Sequence, residues 1–245
     1  MIKLLAYPLT IIYYFFFGLT LLIFHPIQWV CFNVFGYQPH KKSVDFMNLF
    51  LMRCLHILGS RYSYSNPHKI DKNQPLIIVA NHQSMNDVSV ISWHMRAFHP
   101  KFISKIELGK SIPSVSYNLR HGGSLLIDRK KPIQTIKAIK EFGIYIERKK
   151  YAAVIFPEGT RSKNGVPKEF QTFGLLTLFK EMPSAIVVPI TINNSWKTIC
   201  YGKFPMGLGT HITFMVHKPL KIANFADKEI LINSIETTIK SHIKL

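Results

Sequence analysis

The chain has 245 residues, 47% of them apolar, and its 31 Lys and Arg against 13 Asp and Glu leave a net charge of +18. That length suits one core rather than several, and the apolar content excludes a disordered polyelectrolyte. Three cysteines at irregular spacing, Cys31, Cys54 and Cys200, argue for reduced thiols and against a disulfide framework or a metal site.

Leu4 to Phe24 is a 21-residue uncharged run rich in Leu, Ile, Phe and Tyr. At about 1.5 Å per residue it is long enough for one bilayer crossing. It lacks the basic start and small-residue cleavage site of a cleaved signal and runs into His25-Pro26. The next apolar run, Ile27 to Phe35, is too short to cross back. Residues 1–37 are therefore expected to be a membrane-embedded helical segment, either one span or two helices dipped into one leaflet, with residues 38–245 as the domain that follows.

All the Lys and Arg but Lys3 lie beyond residue 40, so that domain expects a negative surface as its partner. Anionic lipids attract basic residues by about 1 kcal/mol each near the headgroups. Lys41 and Lys42 close behind the apolar segment place the domain on the cytoplasmic side of an inner or cytoplasmic membrane. Nucleic acid is the poorer partner: the chain has no zinc-finger spacing, no RNA-recognition block, and no basic run longer than Arg129-Lys130-Lys131 or Arg148-Lys149-Lys150.

Asp45 to Leu58 spaces Phe46, Met47, Phe50, Leu51, Cys54, Leu55 and Leu58 as an amphipathic helix, facing either a core or a membrane. Strands are expected at Tyr62 to Ser65, Leu76 to Ala80, Phe102 to Ser104, Ser124 to Ile127, Ala152 to Phe156, Ala185 to Ile192 and His211 to Val216. Helices are expected at Asp87 to Met95, Ile133 to Arg148, Gly174 to Glu181 and Asp227 to Ile243. The alternation predicts an α/β fold, a mixed and largely parallel sheet flanked by helices.

Two polar turns follow apolar strands. Phe156-Pro157-Glu158-Gly159-Thr160-Arg161-Ser162 places a carboxylate, a glycine, a hydroxyl and a guanidinium together where Pro157 ends the strand ladder. Such a turn suits an anion, and Arg161, with its planar fork, is the natural phosphate partner. Asn81-His82-Gln83-Ser84-Met85-Asn86-Asp87 joins another strand to a helix. Five residues apart on one helix, His82 and Asp87 would splay by about 140°. They meet only if His82 lies on the loop and Asp87 in the first turn, where the carboxylate fixes the imidazole tautomer and leaves the other nitrogen as a base. His40 and Asp45 share the spacing but have no strand in front, and read as coincidence. Gly109-Lys110-Ser111 lacks the first glycine of a phosphate-binding loop, Ser104 standing there, and no Gly-x-Ser-x-Gly elbow is present.

Four segments in order, Asn81-His82-x-Ser84-x-x-Asp87, Gly123 to Arg129, Phe156 to Ser162 and Val187-Val188-Pro189-Ile190, resemble the blocks of the 1-acyl-glycerol-3-phosphate acyltransferase family within the glycerolipid acyltransferases. Lys105, Glu107, Leu108 and Pro113 resemble a further lysine-containing segment of that family. The resemblance implies the glycerophospholipid acyltransferase fold, with the N-terminal chain kinked near His25-Pro26. It implies an acyl thioester donor, from coenzyme A or acyl carrier protein, and a lysophospholipid acceptor, with no cofactor and no metal.

On this resemblance His82 and Asp87 are catalytic. Glu158, Gly159, Thr160 and Arg161 hold the acceptor, with Lys105 and Arg129 as further cations and Pro189 at the site. Backbone N–H groups near the third block or Val187 to Ile190 meet the oxyanion. Where the family often has Phe-Lys-Lys-Gly, this chain reads Phe170-Gln171-Thr172-Phe173-Gly174, which opens the acceptor to another lysophospholipid or an amino-acid lipid. A non-catalytic membrane-binding protein on the same scaffold is the rival from another class.

Overall fold

The computed structural model describes residues 2–244. Eight strands form one sheet: β1 (Arg61–Ser65), β2 (Leu76–Ala80), β3 (Pro100–Lys105), β4 (Leu125–Ile127), β5 (Ala152–Ile155), β6 (Ile186–Asn193), β7 (His211–Val216) and β8 (Leu220–Lys221). The order is β1-β7-β6-β2-β5-β3-β4, with β8 also on β6. β6, β2, β5, β3 and β4 run parallel, while β7 and β8 lie antiparallel to β6, and β1 follows β7. The expected mixed, largely parallel sheet is borne out.

The helices are α1 (Ile2–Phe35), α2 (Tyr37–Cys54), α3 (Asn86–His94), α4 (Val115–His121), α5 (Pro132–Lys149), α6 (Thr172–Glu181) and α7 (Lys228–Ser241). β2 shows how the layers form. Its five residues are all buried, as a central parallel strand requires. Leu76, Ile78 and Ala80 pack into a cluster with α1, α2 and α3, and Ile77 and Val79 into one with α5, α6 and α7. The period of two divides the core between two faces. α5 opens on Pro132 and buries Ile139, Phe142, Gly143 and Ile146 at the i, i+3, i+4, i+7 spacing of an inward face. α7 is capped by Asp227, whose carboxylate accepts from Glu229 N.

The N-terminal segment is one long helix. Helix continues through Pro26, and the break falls at Gly36, whose φ of 80° suits glycine. Pro26 gives no N–H to the carbonyl one turn back, and the turn is braced from outside: Ser114 Oγ donates to Leu21 O at 2.6 Å and Ser114 N to His25 Nδ1 at 3.0 Å. α1 is long and apolar enough to cross a membrane. Leu4, Ile11, Phe15, Leu22 and Val34 stand exposed along it, joined by Phe46 and Phe50 of α2.

Part of α1 belongs to the main core. Tyr13 is buried among sheet residues, Tyr13 OH donates to Asn86 Oδ1 at 3.3 Å, and Met206 N donates to Thr10 Oγ1 at 2.9 Å. α2 begins eight residues before the expected helix and buries Met47, Leu51, Met52 and Cys54. It thus packs on the core with one face and exposes phenylalanines on another. On this helix Asp45 pairs with Lys41 at 2.6 Å, and His40 is buried.

Candidate active site

The parallel strands β2, β3, β4 and β5 deliver their C-terminal ends to one edge of the sheet, and the polar blocks emerge there. Beyond β2, Asn81 donates to Ile192 O at 2.8 Å and accepts from Ile192 N at 2.7 Å, tying the end of β2 to β6. His82 follows on the loop. Asp87 lies in the first turn of α3, and the two side chains meet: His82 Nδ1 and Asp87 Oδ2 are 2.9 Å apart.

Asp87 is 0% exposed. Its Oδ2 also accepts from Gln83 N and Ser84 N, each at 2.8 Å, and its Oδ1 accepts from Ser195 Oγ at 2.5 Å. With the carboxylate accepting, Nδ1 carries the proton and Nε2 presents its lone pair. Nε2 has no hydrogen-bond partner among the described residues, and the His82 side chain is 17% exposed. The ring is stacked on Phe156, centroids 4.1 Å apart.

The third block folds around His82. Ser162 N donates to His82 O at 2.8 Å, and Gln171 N donates to Pro157 O at 2.9 Å. Gly159 has a φ of 70°, and a Cβ there would come within 3.2 Å of the Gln171 amide. Arg129, two residues beyond β4, donates from Nη1 to Gly159 O. Thr160 and Arg161 are exposed on the same turn, and Lys105 is exposed at the end of β3, paired in register with Ile127.

Two of the expected ligand residues are buried. Glu158 is 3% exposed, with Oε1 accepting from His82 N at 2.7 Å and Oε2 from Lys168 N at 2.8 Å. Both oxygens are used on backbone, so Glu158 ties the two blocks together. Burial pushes its carboxyl above the ordinary carboxylate range.

Pro189 is buried inside β6, paired with Val79 of β2, where β8 has ended and β7 has not begun. It has no N–H to give to that edge, and it is buried in the strand with Val187, Val188 and Ile190. Ser195, absent from the sequence expectation, joins Asp87. The only signal for it was a hydroxyl just past the C-terminal end of a parallel strand. Among the described residues no three His, Cys, Asp or Glu side chains converge as metal ligands.

A parallel sheet edge carrying an oriented imidazole beside exposed guanidinium groups has the chemistry suited to moving a proton next to an anion. The family model described as Acyltransferase matches residues 61–193, more than half of the chain, and the chain belongs to that family. Similar curated proteins are 1-acyl-sn-glycerol-3-phosphate acyltransferases. One from Helicobacter pylori is 40% identical over 36% of each chain. The chloroplastic LPAT1 of Arabidopsis thaliana is 28% identical over 70% of this chain and 46% of its own. The human alpha form is 23% identical over 65% and 55%. The matches thus span between about a third and just over half of these relatives. The crystal structure of the 1-acyl-sn-glycerophosphate acyltransferase PlsC from Thermotoga maritima shares the fold, with a TM-score of 0.80 at 24% identity over 98% of this chain and 95% of that one.

Proposed function

We propose that this protein moves a fatty acyl group from an acyl thioester, of coenzyme A or acyl carrier protein, to the sn-2 hydroxyl of 1-acyl-sn-glycerol-3-phosphate, forming phosphatidic acid. The observation that carries the proposal is the His82–Asp87 pair, which leaves Nε2 without a partner among the described residues, at the sheet edge where the third block carries Arg161 and its Gly159 carbonyl accepts from Arg129. Nε2 takes the hydroxyl proton as the oxygen attacks the thioester carbonyl, Asp87 stabilises the imidazolium, and the same proton passes to the departing thiolate. Proton transfer of this kind contributes about 10²–10⁴ in rate, and orientation must supply the rest.

Arg161 binds the acceptor phosphate through its fork, with Arg129 and Lys105 adding charge. The N–H groups of Thr160 and Arg161 meet the developing oxyanion. The exposed stripe of α1 and Phe46 and Phe50 of α2 enter the bilayer, and the basic domain lies on anionic headgroups at its cytoplasmic face. Gln171, packed over Gly159 where the family often has lysine, favours a second reading: the same chemistry on a less anionic lysophospholipid or an amino-acid lipid.

The test is thiol release from a long-chain acyl-CoA by the purified full chain in detergent, with lysophosphatidic acid and other lysolipids as acceptors, beside folded His82→Ala. Release that requires both His82 and lysophosphatidic acid is the expected result. Release that prefers another acceptor supports the second reading, and full activity of His82→Ala overturns the assigned chemistry.

A further inference from the structure

Asp87 has two carboxylate oxygens, and the first block supplies partners for only one of them. Oδ2 is met by His82 Nδ1, Gln83 N and Ser84 N. Oδ1 is met by the Ser195 hydroxyl at 2.5 Å, the short end for an O–H bonded to a charged oxygen. Ser195 is 0% exposed, as is Asp87, so no bulk water can replace the hydroxyl. Ser195 lies two residues beyond the segment matched to the family.

The local chain is built to bring that hydroxyl in. Asn194, with a φ of 64°, turns the chain directly after β6, a left-handed position that asparagine tolerates. The short 3-10 turn Ser195–Ile199 is closed by Thr198 Oγ1 donating to Ser195 O at 2.7 Å. Trp196 N reaches Gln83 Oε1 at 3.5 Å, and Ser84 Oγ lies 3.4 Å from Thr198 Oγ1, so the turn is tied twice more to the loop carrying His82. Ser195 is held by its neighbours, and its side chain is directed at Asp87.

We propose that Ser195 is a positioning residue for the acyl-transfer site: its hydroxyl fixes and partly neutralises the far oxygen of Asp87, and so sets how readily His82 Nε2 takes and releases a proton. This rests on the reading of His82 as the base. Without the hydroxyl, Oδ1 keeps its charge in a dry enclosure with no donor. The carboxylate, still held at Oδ2, then draws more strongly on the imidazolium. The other charged groups around His82 are Glu158, which accepts from its N–H, Arg161 on the same turn, and Arg129, bonded to Gly159 O; Phe156 covers the ring. None of these is altered by a change at Ser195.

Ser195→Ala in the full chain is the test, with Ser195→Cys, close in volume and a weak donor, as the second variant should the first fail to fold. In Ser195→Ala kcat falls about tenfold to a hundredfold, the range for losing one hydrogen bond to a charged group, while acceptor KM changes by less than about twofold. The acid limb of the kcat/KM profile moves up by about 0.5–1 pH unit.

The His82 ring resonance, assigned by its loss in His82→Ala and titrated by NMR in detergent, moves in the same direction without any acceptor present. A variant that loses activity equally at all pH values, with the ring titration unmoved, overturns the proposal and leaves Ser195 a packing residue. An active His82→Ala overturns the assigned base instead, and the ring titration still reports on Ser195 separately.

Discussion

Glu158→Ala separates a brace from a ligand. The side chain accepts two backbone N–H groups, from His82 and Lys168, and is almost wholly buried. Truncation leaves both donors without a partner, at about 1–3 kcal/mol each, and removing a buried charge returns part of that cost. The net loss is about 2–4 kcal/mol, which lowers Tm by about 5–15 °C in a chain of this size. The assay is thermal unfolding by circular dichroism in detergent, run beside acceptor KM.

The pH dependence gives a second check. Burial raises the folded carboxyl above its ordinary 4.5. A raised folded value means that the native state binds the proton more tightly, so the stability it contributes is complete below 4.5 and is lost as pH rises through the folded value. The gap between wild type and variant is therefore wider at pH 5 than at pH 7.5. An unchanged Tm with a raised acceptor KM would refute the brace and restore Glu158 as a headgroup ligand.

Arg161→Ala raises acceptor KM by about tenfold to a hundredfold with a smaller effect on kcat, and Arg161→Lys recovers only part because an ammonium cannot bond bidentately. An unchanged KM in steady-state kinetics removes the assigned role. His40, 1% exposed, is held by burial at about 4 against 6.5, with Lys101 of β3 and His121 of α4 adding like charge. The unfolded chain takes up that proton first, so stability is complete above 6.5 and lost as pH falls towards 4, by at most about 3 kcal/mol. Urea midpoints at pH 7.5 and 4.5 should show a shallower acid loss in His40→Gln; an identical slope in both proteins counts against it.

The elements legible in the sequence were those whose burial pattern is local. β2 and β5 are unbroken apolar runs, and the inward face of α5 repeats at helical spacing behind a proline. α4 was not legible. Its seven residues bury Ser116, Tyr117 and Leu119, and outside partners hold it: Tyr117 OH accepts from Asn33, and Ser116 Oγ donates to Leu108 O. The two-residue β8 exists only through its pairing with β6. The start of α2 was missed because the burial of His40 depends on elements packed against it, although the Lys41–Asp45 pair lies at helical i, i+4 spacing.

The same distinction holds at the site. His82 and Asp87 are five residues apart, and a loop followed by a helix turn suffices to join them. Glu158 finds His82 N across 76 residues and Ser195 finds Asp87 across 108, so a carboxylate that braces and a hydroxyl that positions look like any polar group on a turn until the sheet closes.

Tyr13 deserves a different description from the rest of α1. It leaves the apolar face and bonds to Asn86, the residue directly before Asp87, while Thr10 and Tyr14 fasten the same stretch to Met206 and Lys203. The helix with the long exposed apolar stripe thus also braces the start of α3, and a cut at residue 37 made to gain solubility would remove that brace. On the proposed reading, a bilayer that shifts the helix along its axis pulls on a joint one residue from the carboxylate that steers the proton.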